Sequence, residues 1–419
     1  ETRLAHRLLR RGPALPPTRS AAAMFAVRRL RGAAASARPL STLPRSTLPA
    51  AAPLVPDSLE DRRRQLRETL AAPAAVPAKI IVVGGGRMGD IRCSHIARSA
   101  TAQLTAFVDS TPQSAAKFAR HYGCDAFVSL DDALEKHPDA QGIWVCVPSP
   151  HHPEVILKAA ARGMHVAVEK PVAMSVSEIN ACYSACADAG VSLLCAFQRR
   201  SDAGYSAMAA AVKAGDVGAP RSIRTVFRDH PTPTKAFLLQ GGGDPFHDLA
   251  THDIDFILDL LEGEIPDEVY AIGSSSDAEL GAAGIHDAAT IVLRWGDSLV
   301  ATMEVARASN YGYDQRCEVY GSNGGSLQVD NVLSTPLSSR GSAGVNQGAY
   351  SYSFPQRFEA AFGVEVQQFV DCIQGRGAPR VLQRDAALAT YLAEAALQSA
   401  LTQRPIILDK AAVAAAVRA

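Results

Sequence analysis

The 419-residue sequence lacks an excess of charge of either sign, because 42 lysines and arginines balance 42 aspartates and glutamates. This balance gives no support to a nucleic-acid partner and is unlike the strong net charge of many disordered chains. The sequence also lacks any run of 18 apolar residues without a charge, glycine or proline, so we expect no membrane-spanning helix. The length is sufficient for two or three domains.

The eight cysteines never form a Cys-x-x-Cys pair, the spacing that structural zinc sites and redox disulfides commonly use. Only Cys182 and Cys186 have a helical spacing, and no further ligand lies near them in the sequence. A closed zinc site needs four ligands. We therefore predict no metal site, and we expect most cysteines to be small buried side chains in a reducing compartment.

The beginning of the chain has many arginines and almost no acids. Thr2–Pro56 contains ten arginines and neither Asp nor Glu. A segment rich in arginine, alanine and serine and free of acids is typical of an organelle transit peptide. We predict mitochondrial import, with Met24 as the initiator and residues 1–72 as transit peptide and linker. A plastid address, or a disordered basic arm on a cytoplasmic protein, is the alternative.

An apolar run that ends in a glycine cluster and passes into a helical pattern predicts a strand, a tight turn and a helix. Gly84, Gly86 and Gly89 fit the G-x-G-x-x-G pattern, and Arg87 and Met88 stand between the last two glycines. In this pattern the glycines allow the turn, the approach of a pyrophosphate and the packing of helix on strand. The first N–H groups of the helix are then available to phosphate oxygens.

The next apolar run ends at Asp109, which lies 20 positions after Gly89. Dinucleotide-binding folds place a carboxylate at about this spacing, where it binds the ribose hydroxyls. Because a carboxylate would repel a 2′-phosphate, the spacing predicts NAD as the cofactor. Binding of NADP would need some other device.

Strand and helix patterns continue to alternate, which predicts a doubly wound parallel sheet and an NAD-binding Rossmann domain over residues 73–196. Ligands of such sheets bind beyond the carboxyl ends of the strands. Two segments are predicted to reach that crevice: the loop with Ser149 and His152, and Glu169-Lys170-Pro171. Lys170 follows a strand and precedes a proline, so we consider it a candidate for chemistry.

Later segments alternate apolar and polar residues, the pattern of a sheet with one packed and one wet face. We predict an α+β domain over residues 197–410 with a large open, mostly antiparallel sheet, and a C-terminal tail at 411–419. Ser334–Gly348, rich in Ser, Gly and Asn, is predicted to be a mobile loop.

Asp248 and His252 lie four residues apart in a segment whose apolar residues recur at helical spacing, so both are predicted to project from one face. A carboxylate that accepts a hydrogen bond from one imidazole nitrogen raises the basicity of the ring and leaves the other nitrogen free to take a proton. A helix start with an acidic first turn and a core histidine would show the same pattern. The pattern alone leaves both interpretations open.

The order of these motifs resembles that of the Gfo/Idh/MocA family of nicotinamide-dependent oxidoreductases. The resemblance covers about residues 79–409 and depends on the glycine turn, Asp109, the Pro148–His152 loop and above all Glu169-Lys170-Pro171. Three later segments resemble the inositol dehydrogenases of that family: Phe197–Tyr205, Gly241–Asp255 and Tyr311–Arg316.

The resemblance implies an NAD-dependent dehydrogenase that oxidises a cyclic polyol, with myo-inositol giving the 2-keto product. It implies that His252 is the general acid/base, that Asp248 orients His252, and that Lys170 donates to the reacting oxygen. The expected cofactor contacts are Gly84, Gly86, Arg87, Met88, Gly89, Asp109, Ser149, His152, Glu169 and Lys170. The expected substrate contacts are Arg200, Asp248, His252, Tyr313 and Asp314.

The family also implies a homodimer or homotetramer built on the C-terminal sheet, and no membrane partner. The loop at Arg228–Pro231 and the long Gly241–Asp248 segment depart from some inositol dehydrogenases, so the isomer stays open. Another polyol, sugar or dihydrodiol is the alternative substrate. A sensor that binds sugar and NAD without catalysis is the alternative function.

Overall fold

A computed structural model describes residues 76–239, 243–342 and 344–418 of the chain. The predicted transit peptide, and with it the proposed initiator Met24, lies outside these residues. Within the described ranges, no helix is both long and apolar enough to cross a bilayer. Seven of the eight cysteines are buried and none is disulfide-bonded, as expected for side chains that serve packing.

Six parallel strands form the first sheet, in the spatial order β3-β2-β1-β4-β5-β6. The strands are β1 (Ala78–Val83), β2 (Ala102–Val108), β3 (Asp125–Phe127), β4 (Gly142–Val145), β5 (His165–Glu169) and β6 (Leu193–Ala196). The helices that alternate with them are α1 (Arg87–Arg98), α2 (Pro112–Tyr122), α3 (Leu130–Lys136), α4 (His152–Ala161) and α5 (Val176–Asp188). The predicted doubly wound sheet is confirmed. The strand order reverses between β1 and β4, and ligands of such sheets bind at this switch point.

The central strands of this sheet are buried on both faces. Ile80, Ile81 and Val82 of β1 are all inaccessible to solvent. Continuous apolar strands of this kind are found where helices cover both sides of a parallel sheet. Part of the cover comes from far along the chain, because the helix Glu359–Ile373 packs Phe369 against Trp144 of β4. The C-terminal half of the chain therefore completes the core of the first sheet.

The second sheet has seven strands in the order β12-β11-β7-β10-β9-β8-β15. They are β7 (Pro220–Arg228), β8 (Glu268–Ser274), β9 (Ala288–Trp295), β10 (Leu299–Ala306), β11 (Asp314–Gly321), β12 (Ser326–Val329) and β15 (Ile406–Ile407). Only β7 and β10 pair in parallel, and every other neighbouring pair is antiparallel. The predicted mostly antiparallel sheet is confirmed.

Among the described residues, helices pack on one face of the second sheet and leave the other face open. The remaining helices are α6 (Ala203–Ala214), α7 (Lys235–Leu239), α8 (Thr251–Leu260), α9 (Ala278–Ala282), α10 (Phe354–Arg357), α11 (Glu359–Ile373), α12 (Gln383–Thr402) and α13 (Lys410–Ala416). Along β10, Ala301 and Met303 are buried under the helices, whereas Val300 points to the opposite face and is exposed. This alternation is the predicted pattern of a half-buried strand. The domain boundaries drawn from the sequence stay predictions.

Two local features differ from the sequence-based expectation. The segment predicted as one helix from Asp248 begins as a π-helical turn, Pro245–Ala250, and becomes α-helical only at Thr251. The segment Ser334–Gly348, predicted to be a mobile loop, contains a two-stranded hairpin formed by β13 (Ser338–Gly341) and β14 (Gly344–Gln347). Polar and glycine-rich composition did not indicate the hairpin, because backbone pairing does not require apolar side chains.

Candidate active site

The turn between β1 and α1 depends on two of the three predicted glycines. Gly84 has a φ of +110°, and a Cβ there would lie 2.5 Å from the carbonyl carbon of Cys146. A Cβ at Gly89 would overlap the carbonyl oxygen of Gly84, so this glycine lets α1 approach β1. A Cβ at Gly86 would meet nothing within 4 Å. Open space at the N-terminus of α1, beside its first N–H groups, suits a pyrophosphate.

Asp109 follows β2 and faces this turn. Its Oδ2 accepts a hydrogen bond of 2.7 Å from the N–H of Gly85, and its Oδ1 accepts one of 2.8 Å from the N–H of Thr111. The carboxylate is therefore held beside the glycine turn by backbone donors. It remains only half-buried, so a ribose hydroxyl can still reach it.

Replacing Asp109 with alanine should weaken NAD binding and reduce the preference for NAD over NADP. The variant loses a charged acceptor for the ribose and the anchor of Gly85, and a hydrogen bond to a charged group contributes about 1.5–3 kcal/mol. We expect Kd for NADH to rise by about ten- to a hundredfold in a fluorescence titration. The matched control is Asp131→Ala, whose carboxylate is 59% exposed and pairs with Lys158. Equal affinities of the Asp109 variant and the control would contradict the assignment.

A cavity of about 330 Å³ lies beyond the carboxyl ends of the first-sheet strands. Nine of the predicted site residues line it: Arg87, Met88, Ser149, His152, Glu169, Lys170, Asp248, His252 and Tyr313. The structure thus brings segments from both halves of the sequence to one space. The predicted glycines and Asp109 do not line this cavity but lie at the adjoining turn.

Lys170 and Asp248 form an ion pair at the wall of the cavity. The Lys170 ammonium donates to Asp248 Oδ1 over 2.7 Å and to the backbone oxygen of Asp248 over 2.8 Å. The other carboxylate oxygen, Oδ2, lies 2.6 Å from Nη1 of Arg307. Burial alone would raise the pKa of Asp248, but the two cations outweigh it and hold this pKa well below its usual range. Asp248 is therefore an ionised acceptor throughout the ordinary pH range.

His252 lines the same cavity and is 8% exposed. The rings of Phe197 and Phe227 lie against it with centroids 5.9 and 6.2 Å away. Burial, and then the charges of Lys170 and Arg199, lower the pKa of His252 well below its usual value. A neutral imidazole at the cavity wall is in the form that can accept a proton.

Asp248 does not orient His252 by a hydrogen bond, contrary to the expectation from the resemblance. Both Asp248 oxygens are bonded to Lys170 and Arg307, and the buried Nδ1 of His252 has no partner among the described residues. The two cations explain the difference, because Lys170 and Arg307 each occupy one oxygen of the carboxylate. The two residues share the cavity without sharing a hydrogen bond.

Two family models match the chain in succession. The model described as "Oxidoreductase family, NAD-binding Rossmann fold" matches residues 78–197, and the "GFO/IDH/MocA C-terminal domain" model matches residues 205–326. The chain belongs to the Gfo/Idh/MocA oxidoreductase family. The family assignment confirms the resemblance of the motifs, and with it an NAD-dependent oxidoreductase.

Similar Gfo/Idh/MocA proteins include an inositol 2-dehydrogenase from Rhizobium meliloti, 29% identical over 78% of this chain and 97% of the relative. A myo-inositol 2-dehydrogenase from Thermotoga maritima is 29% identical over 79% of this chain and 99% of the relative. Among solved structures, scyllo-inositol dehydrogenase from Lactobacillus casei with bound NAD(H) and scyllo-inositol superposes with a TM-score of 0.73. Its sequence is 26% identical to this chain, and the match covers 79% of this chain and 99% of that one.

The residues of this Gfo/Idh/MocA chain fit NAD. The open space at Gly86 can take the pyrophosphate, and the Asp109 carboxylate can accept hydrogen bonds from the ribose hydroxyls. The adjoining cavity is lined by Arg87, Glu169 and Lys170. Bound NAD would supply a hydride acceptor there. The chain itself supplies the groups that bind, orient and move a proton.

His152 and Glu169 are held firmly at the cofactor side of the cavity. His152 is 1% exposed, and its two ring nitrogens lie 2.7 and 2.9 Å from the backbone oxygens of Pro171 and Val147. It therefore joins the loops that follow β4 and β5. Glu169 accepts hydrogen bonds from Arg92 over 2.6 Å and from the indole of Trp144 over 3.1 Å. His152 thus fixes two loops of the cavity wall, and Arg92 and Trp144 fix the Glu169 carboxylate.

Arg200 is not brought to the cavity, although the resemblance implied a substrate contact. Its guanidinium is 2.7 Å from Asp255 Oδ1 and 3.1 Å from Asp385 Oδ2, in a buried cluster. Two carboxylates satisfy the guanidinium there, so it serves packing of α8 against α12. Asp314 also lies outside the cavity lining and binds Arg316 and Asn331. Tyr313 does line the cavity.

Sequence reasoning did not single out three charged residues in or around the site: Asp229, Arg307 and Glu365. Asp229 follows β7 and lines the cavity, whereas Arg307 follows β10 and binds Asp248. β7 and β10 are parallel with Arg228 opposite Ala306, so the polar residues that follow them meet at one edge. Local patterns carried no signal for this meeting, because they do not predict which strands pair. Glu365 binds Arg92 over 2.8 Å across 273 positions.

Proposed function

We propose that the protein oxidises a secondary hydroxyl of an inositol to a ketone with NAD, with myo-inositol giving the 2-keto product. The observation that carries this proposal is the shared cavity of Lys170, Asp248 and His252 beside an NAD-binding turn. The relatives named above are inositol dehydrogenases, which supports a cyclic polyol as the substrate.

Each of the three residues has a separate part in this reaction. His252, neutral because of its lowered pKa, accepts the proton of the hydroxyl as a hydride leaves the carbon that carries this hydroxyl. Lys170, fixed by Asp248 at 2.7 Å, donates a hydrogen bond to the reacting oxygen. Asp248, ionised and 40% exposed, accepts a hydrogen bond from a neighbouring hydroxyl. A polyol provides that second donor, whereas a simple alcohol does not.

The test is NADH formation by the full chain with myo-inositol, scyllo-inositol, chiro-inositol, glucose and a dihydrodiol. The same panel is repeated with NADP. Turnover that favours an inositol with NAD would support the proposal, and the ranking of isomers would name the substrate. NADH binding without turnover of any compound would contradict it and favour the non-catalytic sensor.

We also propose that the open face of the second sheet joins copies of this chain into a homodimer or homotetramer. Ile272 of β8, Val300 of β10 and Tyr320 of β11 are 57, 40 and 48% exposed on that face. Large apolar side chains exposed on one face of a sheet support an interface between copies of the chain. Sedimentation of the double variant Ile272→Glu/Val300→Glu should show smaller particles. Leu157→Glu, at an exposed apolar side chain of α4, is the control and should sediment like the wild type.

The arginine-rich, acid-free composition of Thr2–Pro56 supports a proposal of mitochondrial import. A fluorescent protein fused behind residues 24–76 should enter mitochondria, and a second fusion with Arg28, Arg29 and Arg31 replaced by Glu should not. Plastid targeting, or both fusions remaining in the cytoplasm, would contradict the proposal.

A further inference from the structure

Arg307 connects three parts of the site although it does not line the substrate cavity. Its side chain is 3% exposed, and it follows β10 of the second sheet. Nη1 lies 2.6 Å from Asp248 Oδ2, and Nη2 donates to the backbone oxygen of Gly243 over 2.6 Å. One buried guanidinium therefore binds both the Asp248 carboxylate and the backbone just before the π-helical turn that contains Asp248.

The backbone around Gly243 is shaped to admit this guanidinium. Gly243 has a φ of +88°, which favours glycine. A Cβ at this position would lie 2.9 Å from Nη2 of Arg307 and 2.9 Å from the Cβ of Asp248. Any larger residue would thus push against both Arg307 and Asp248.

A second carboxylate at the cavity faces the same guanidinium. Asp229 Oδ2 lies 3.8 Å from the Nη1 atom that binds Asp248. Burial and the charge of Asp248 raise the pKa of Asp229, and Arg307 opposes this shift. The charged groups around Asp248 are thus Lys170 and Arg307, which attract it, and Asp229, which repels it. Without Arg307, the Asp248 and Asp229 carboxylates would lose the cation that they share.

We propose that Arg307 is a positioning residue that fixes the Asp248 carboxylate so that it accepts a hydrogen bond from the hydroxyl next to the reacting one. This inference rests on the proposed polyol oxidation and deepens it. Lys170 binds one oxygen of Asp248 and Arg307 binds the other. Rotation of the carboxylate would break both contacts, and its protonation would weaken both. The two contacts therefore fix the direction of the lone pairs that remain on the Asp248 oxygens. Because 40% of the Asp248 side chain is exposed, a substrate hydroxyl can still donate to them. Specificity for a substrate with adjacent hydroxyls follows from this arrangement.

The test compares Arg307→Gln with Arg307→Lys and with a control, Arg376→Gln. Arg376 follows α11, is 47% exposed and pairs with Asp371, and it belongs neither to the cavity lining nor to the second sheet. For the inositol that the wild type turns over best, we expect Arg307→Gln to lower kcat/KM by about ten- to a hundredfold, mainly through KM. Arg307→Lys should be intermediate, because one ammonium does not reproduce the forked geometry of a guanidinium. The control should match the wild type.

The pH profile separates positioning from a merely structural role. In the wild type, the loss of kcat/KM on acidification reflects protonation of His252. In Arg307→Gln, Asp248 has lost one of two cations, so its protonation should enter the profile and move the acid limb upward by about one pH unit or more. Gly243→Ala should produce the same upward shift, because its Cβ displaces the guanidinium from the other side.

The outcomes distinguish this inference from the proposed function. Unchanged KM and an unchanged acid limb in Arg307→Gln, with only a lower melting temperature, would overturn the role of Arg307 while leaving polyol oxidation intact. A wild-type protein that binds NADH but turns over no polyol would overturn both. NADH affinity of each variant, expected within about twofold of the wild type, confirms that the Rossmann half is folded.

Discussion

Replacing His252 with asparagine should lower kcat for alcohol oxidation by about two to four powers of ten, because general acid/base catalysis contributes an effect of that size. The affinity for NADH should change little, since His252 lies on α8 and is not part of the glycine turn beside which the pyrophosphate would bind. Stopped-flow measurement of NADH formation, together with fluorescence titration of NADH, gives both quantities. A variant with nearly wild-type kcat would remove His252 from the mechanism.

The pH dependence of the wild type follows from the lowered pKa of His252. The base must be neutral to accept the hydroxyl proton, so kcat/KM falls as the pH falls through this pKa. Because burial, Lys170 and Arg199 lower the pKa, the acid limb should lie well below pH 6.5, the ordinary value for histidine. His252→Asn should lack this limb. An acid limb at or above the ordinary pKa of histidine would contradict the electrostatic account.

Replacing Arg92 with leucine should produce the largest loss of stability, about 3–5 kcal/mol in the free energy of unfolding. Arg92 is fully buried between the rings of Trp144 and Phe362, and it binds Glu169 and Glu365 at 2.6 and 2.8 Å. Its removal leaves two carboxylates without their cation in the interior. Urea unfolding of the wild type and the variant measures the difference.

The pH dependence of this loss has a definite sign. Burial outweighs the attraction of Arg92 and raises the pKa of Glu365 from 4.5 to about 7. The folded state then binds more protons than the unfolded state between these values, so stability falls as the pH rises from about 4.5 to 7. Without Arg92 the penalty for the charged form grows, and the deficit of Arg92→Leu should be smaller at pH 5 than at pH 8.

A matched double variant separates lost charge pairing from lost packing. Arg92→Leu/Glu365→Leu removes the most buried of the two unpaired carboxylates, since Glu365 is 2% exposed and Glu169 is 13% exposed. It should recover part of the stability, because an apolar replacement of a buried ion pair is often tolerated. A double variant as unstable as the single one at both pH values would show that packing dominates.

Local patterns predicted the parts of the site that follow individual strands. The glycine turn, Asp109 and Lys170 each stand at the end of an apolar run, and such ends meet at one edge of a parallel sheet. Nine residues named from motifs do line one cavity. The role expected for Arg200 came from the family motif, whereas its surroundings depend on Asp385, 185 positions away.

The sequence by itself determined the Rossmann half, the NAD turn and the half-buried strands of the second sheet, because hydrophobic period and glycine spacing are local properties. Only the tertiary structure decided which cations hold Asp248, since the contact with Arg307 depends on the packing of the end of β10 against the π-helical turn. The same holds for Arg92 and Glu365, which are 273 positions apart. Such partners are selected by the desolvation of buried charge, which requires a counter-charge but does not specify where in the chain it must lie.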